Sequence, residues 1–144
     1  MNDDLFADLR PYNDNEVDKA LLRISKSKLL PAISAYLYPD QLVGILSQKL
    51  KSIHGTAEFQ STIMRDVVSR IIMATMTDFS YSGVEYLSPE KSYLFVSNHR
   101  DIVLDSTLLQ YVLICNNLNS SHIAAGGNLM FNEFATDLAK CNKL

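Results

Sequence analysis

The chain has 144 residues, enough for one domain with a core of its own. An apolar content of 47% and a charged content of 20% are those of an ordinary globular protein. The formal charge of −3 argues against a general nucleic-acid binder, because phosphate backbones demand clustered Lys and Arg.

The chain opens on Met1-Asn2-Asp3-Asp4, which lacks the basic flank and apolar run of a secretory signal. No stretch reaches the ~18 uninterrupted apolar residues of a membrane span. The first dozen residues read as irregular. A helix is expected to start after Asn13 or Asp14, with Val17, Ala20, Leu21 and Ile24 at helical spacing and Glu16 in the first turn. Ser25 to Lys28 marks its end. Leu29 to Tyr38 reads as a short helix with Pro31 in its first turn. The next helix is punctuated by Asp40 as N-cap and Gly55 as its close. Leu42, Val43, Ile45, Leu46, Leu50 and Ile53 form its apolar face. Thr56 to about Thr77 reads as the longest helix, with Phe59, Ile63, Val67 and Ile71 recurring every four residues. That face suits packing against other helices, or a membrane surface.

The pattern then changes. Phe79 to Leu87 alternates and is rich in aromatic and β-branched residues, which predicts a strand. Ser88 to Lys91 is a turn, and Ser92 to Ser97 a second, buried strand. Ile102 to about Asn116 reads as a helix with Val103, Leu104, Leu108, Tyr111, Val112 and Cys115 on its buried side. His122 to Ala125 is a third strand, Gly126-Gly127-Asn128 a turn, and Asn132 to about Asn142 a final helix. Residues 1–77 therefore read as a helical region and 78–144 as the start of an incomplete α/β domain with parallel strands joined by a right-handed crossover. Cys115 and Cys141 are too few for a disulfide framework and lie at no metal-ligand spacing; ordinary thiols in a reducing compartment are expected.

The most chemically informative segment is Tyr93 to Asp105. An apolar run ends in Asn98-His99-Arg100-Asp101, and a second carboxylate, Asp105, follows. A histidine where a strand gives way to a loop can accept a proton near neutral pH, and a nearby carboxylate can fix its tautomer. Asp101 is placed to cap the following helix. His54 and His122 read as structural.

Two blocks, Asn98-His99-Arg100 with its following aspartates and His122-Ile-Ala-Ala-Gly126-Gly127-Asn128-Leu129, resemble the glycerol-3-phosphate and lysophospholipid acyltransferase superfamily. The resemblance covers about Tyr93 to Phe131. That family is marked by a histidine, four residues and an aspartate; here the fourth-spaced position is Leu104. Either Asp105 keeps the role after a one-residue insertion, the favoured assignment, or Asp101 has taken it. The resemblance implies a His99 general base and transfer of a fatty acyl group from acyl-CoA or acyl-ACP, with no cofactor or metal. The acceptor would be a hydroxyl of glycerol 3-phosphate or a lysophospholipid. It further implies acceptor contacts from Arg100, Gly126, Gly127 and Asn128, and a cytoplasmic protein peripheral to the inner membrane face. The family's later motifs, an arginine-bearing block and a proline-containing block, are absent, so negligible turnover is expected of these 144 residues alone. A thioester hydrolase that activates water with His99, and a non-enzymatic interaction module in the helical region, compete with this reading.

Overall fold

The computed structural model describes residues 9–42 and 44–144. The expectations for the first eight residues and for Val43 lie outside the described residues. Helices take 56% of the described residues, and none of these residues belongs to a strand. The expected α/β architecture is therefore corrected to an all-helical one. The chain forms two compact units, one of residues 9–63 with His122–Leu144 and one of Met64–Ser121, a division that does not follow a boundary at residue 77.

The first unit is built on α1, Asp14–Ser25. Asn13 opens it with a capping box: its side chain accepts from the Glu16 N–H, and the Glu16 carboxylate accepts from the Asn13 N–H. The Arg10 guanidinium closes on both oxygens of Glu16, at 2.7 and 3.0 Å. Val17, Ala20, Leu21 and Ile24 are buried, so the helical spacing read in the sequence becomes the central row of the core. Each large apolar side chain fully buried contributes roughly 1.5–3 kcal/mol. α1 packs on α3, Ile45–Lys51, and on α7, Glu133–Cys141, which Asn132 caps by accepting from the Ala135 N–H. Between α1 and α3 lies α2, Leu30–Leu37, with Pro31 in its first turn.

α3 starts later than Asp40 implied. Gly44, at φ 97°, takes the left-handed conformation just before it, and a continuous helix cannot pass through that residue. Gly55 also departs from expectation. It opens α4, Gly55–Glu58, instead of closing α3. Asp14 and Asp18, one turn apart on α1, supply the capping groups: Gly55 N–H donates to Asp18 and Thr56 N–H to Asp14, at 2.9 and 3.0 Å. The chain passes from the first unit to the second within a π-helical turn, Phe59–Met64, which buries Phe59 and Ile63.

In the second unit α5, Arg65–Thr75, packs against α6, Leu104–Cys115. Its fully buried apolar residues, Val68 and Leu113, are few. Phe79 stacks edge-on to Tyr111 at 6.2 Å, and Gln110 donates to the Ser121 carbonyl at 2.9 Å. Of the expected buried side of α6, Val103 is instead 65% exposed and Cys115 is exposed.

None of the three expected strands forms. Phe79 to Leu87 is interrupted by Gly83 at φ 90° and a short 3-10 turn, Val84–Tyr86. Ser92 to Ser97, expected to be buried, is exposed throughout. His122 to Ala125 belongs to the first unit, where the Ile123 N–H donates to the Lys143 carbonyl. The physical reason is common to all three. Apolar alternation specifies an extended chain, but a strand exists only when another strand completes its ladder of hydrogen bonds.

Candidate functional site

The segment singled out in the sequence lies at the N-terminal end of α6. Asp101 accepts from the Val103 and Leu104 N–H groups at 2.9 and 2.8 Å, and so satisfies the orphan donors that open the helix. Asp105, in the first turn of α6, reaches back over the loop. One of its oxygens accepts from the Arg100 N–H at 2.7 Å and the Asp101 N–H at 3.0 Å. The same oxygen lies 3.2 Å from His99 Nδ1. The two aspartates thus divide the work: Asp101 caps the helix and Asp105 meets the histidine. The backbone bonds from Asp101 and Arg100 are the main cause that holds the Asp105 carboxyl below the usual carboxylate range, with a smaller contribution from His99.

This arrangement determines what the imidazole can do. A carboxylate only accepts, so a neutral ring that donates across the 3.2 Å contact would carry its proton on Nδ1 and keep the Nε2 lone pair. The His99 side chain is 66% exposed, which leaves Nε2 open to an incoming group. The Arg100 side chain is exposed and makes no hydrogen bond or ion pair among the described residues.

Gly126, Gly127 and Asn128 lie in the first unit, in a 3-10 turn spanning Gly127–Leu129. A Cβ on Gly126 would collide with the Asn128 side-chain oxygen, so glycine there permits Asn128 to fold back on its own turn. His122, in the same unit, is exposed.

A second histidine–aspartate pair was not legible in the sequence. His54 Nδ1 lies 3.2 Å from Asp18, the same separation as in the His99 pair, although 36 residues separate the two in the chain. Asp18 also accepts from a backbone N–H, that of Gly55, and this bond leads the causes that lower its pKa. Distance alone therefore does not single out His99. The Asp105–backbone contacts also escaped prediction; an aspartate in the first turn of a helix is the local signal that could have suggested them.

No protein-family model matches the chain, and no curated protein or solved structure is significantly similar to it. The acyltransferase resemblance stands on its two sequence blocks. Among the described residues no helix is long and apolar enough to cross a membrane.

Proposed function

We propose that this chain serves acyl transfer in phospholipid synthesis. A fatty acyl group would move from acyl-CoA or acyl-ACP to a hydroxyl of glycerol 3-phosphate or a lysophospholipid, at the cytoplasmic face of a membrane. The observation that carries the reading is that the 3.2 Å contact of His99 Nδ1 with Asp105 falls inside the sequence block that resembles the family, where the equally close His54–Asp18 pair does not. Nε2 takes the proton of the acceptor hydroxyl as its oxygen attacks the thioester carbonyl. The tetrahedral intermediate collapses, the carbon–sulfur bond breaks, and the imidazolium returns the proton to the departing thiolate. Asp105 orients the ring and stabilises its protonated form. Positioned general-base help of this kind is worth roughly 10²–10⁴ in rate. Arg100 offers its free guanidinium to the acceptor phosphate. Gly126, Gly127 and Asn128, residues of the first unit, are named by the sequence resemblance alone.

The test pairs an activity with a proton position. Negligible turnover is expected of these 144 residues alone, so ester formation from labelled acyl-CoA or acyl-ACP is followed over hours with saturating acceptor against a protein-free blank. Any product above the blank should fall to it in His99→Ala and persist in His54→Ala, which removes the other histidine at the same distance from an aspartate. Ester formed equally by His99→Ala removes the proposal, and thioester cleavage without ester points to a hydrolase instead. Nitrogen NMR of His99 reads the base directly: the neutral ring should carry its proton on Nδ1, and Asp105→Asn should shift the tautomer balance. A proton found on Nε2 ends the base assignment whether or not product forms.

A further inference from the structure

Residues 92–99 form the longest run of backbone without a hydrogen bond among the described residues. The run is extended. Tyr93 and Phe95 share one side, with ring centroids 6.3 Å apart, and Leu94 and Val96 take the other, 89% and 87% exposed. An endoprotease binds its substrate in this form: it holds residues on both sides of the cut as an added strand and seats one side chain in its primary pocket. Other exposed segments lack one requirement or the other. The carbonyls of Leu42 and Val103 are engaged by the N–H groups of Ile45 and Thr107. Thr77 to Ser82 is unpaired but carries no aliphatic side chain. His122 to Gly126 is pinned at the Ile123 N–H and the Gly126 carbonyl.

We propose that an endoprotease with an aliphatic primary pocket cuts the folded chain after Leu94 or Val96, and that the cut chain stays one particle. Water adds across the peptide bond, leaving a carboxylate on the first piece and an ammonium on the second. The first piece keeps α1 and α3, and the second keeps α7, which packs on α1 within one compact unit. Across that interface the buried Asp137 accepts from Arg23 and Tyr12, and the Tyr12 N–H donates to the Lys140 carbonyl at 3.3 Å. None of these contacts involves the cut segment. In the second unit α5 and α6 come to lie on different pieces and are joined by packing alone. Few apolar residues are fully buried there, so this is the unit that the cut loosens. His99 and Asp105 stay together on the second piece. The segment is thus a modification site that frees α5 from the His99 loop without dispersing the chain.

The folded full chain is treated with a trace of elastase, and early products are identified by mass spectrometry. The first cut between α1 and α7 should fall after Leu94 or Val96. The two pieces should leave a size-exclusion column together, at the volume of the uncut chain, and separate in urea. Leu94→Asp/Val96→Asp places charges at positions already in water, so the helical circular dichroism should survive. An aliphatic pocket rejects a carboxylate, so cutting in the segment should slow by about tenfold or more. A first cut elsewhere, such as after Ala125, overturns the proposal. So does cutting of the segment at the same rate in the double aspartate variant, or elution of the two pieces apart.

Discussion

Replacing Arg23 by alanine should be more damaging than replacing its partner Asp137. Asp137 is buried at 2% exposure on α7 and accepts from Arg23 Nε at 2.9 Å, Arg23 Nη2 at 2.6 Å and the Tyr12 hydroxyl at 2.9 Å. The Arg23 side chain is 43% exposed. The two ends of the pair therefore differ in what remains after truncation. Arg23→Ala leaves a carboxylate out of water with one neutral donor, a loss of about 3–5 kcal/mol. Asp137→Ala lets the guanidinium turn to solvent and strands only the Tyr12 hydroxyl, a loss of about 1–3 kcal/mol. The double variant should then be more stable than Arg23→Ala alone. Since ~1 kcal/mol moves the midpoint of a domain this size by roughly 4–8 °C, the two single variants should separate clearly in a thermal melt. Labelling of the fully buried Cys141 thiol reports opening of this unit in particular. An Asp137→Ala variant that melts with or below Arg23→Ala would refute the reasoning.

Three further outcomes follow from the first unit. The Arg10 guanidinium and the Asn13 N–H lower the Glu16 carboxyl from 4.5 to about 2. Its contribution is therefore complete above about pH 4.5 and is lost as the pH falls toward 2, and Glu16→Gln should abolish that part of the acid profile; exposure to solvent holds it to about 1 kcal/mol in an acid titration followed by circular dichroism. Burial, aided by the Asp137 charge, pushes the Cys141 thiol up to about 12, whereas Cys115 is exposed, so a thiol reagent at neutral pH should label Cys115 quickly and Cys141 only in denaturant. Gly55→Ala places a Cβ 2.8 Å from the Asp14 carboxylate at φ 72°; the left-handed conformation alone costs about 1–2 kcal/mol, and denaturant unfolding should show at least that loss.

The helices were the legible part of the fold, and for a local reason. Asn13 and Asn132 announce their helices because a side-chain cap acts within three residues, and the Val17 to Ile24 row is buried because its spacing matches one helix face. Gly55 misled because composition marks a break without saying which helix it belongs to. The strands were misread because pairing is not a property of the segment: Ser92 to Ser97 has the right residues, and no other strand among the described residues meets it. At the candidate site, the nearness of two aspartates to His99 was visible and their roles were distinguishable by reasoning about the helix start. The His54–Asp18 pair was not, since only the packing of α1 brings those residues together.

The first unit takes its polypeptide from both ends of the sequence, with residues 64–121 interposed. During synthesis α3 can reach α1 early, but the part of α1 that packs on α7 must wait for residues 133–141. At ribosomal speeds that interval is on the order of 10 s, a window in which that part of α1 is open to chaperones or to the wrong neighbour.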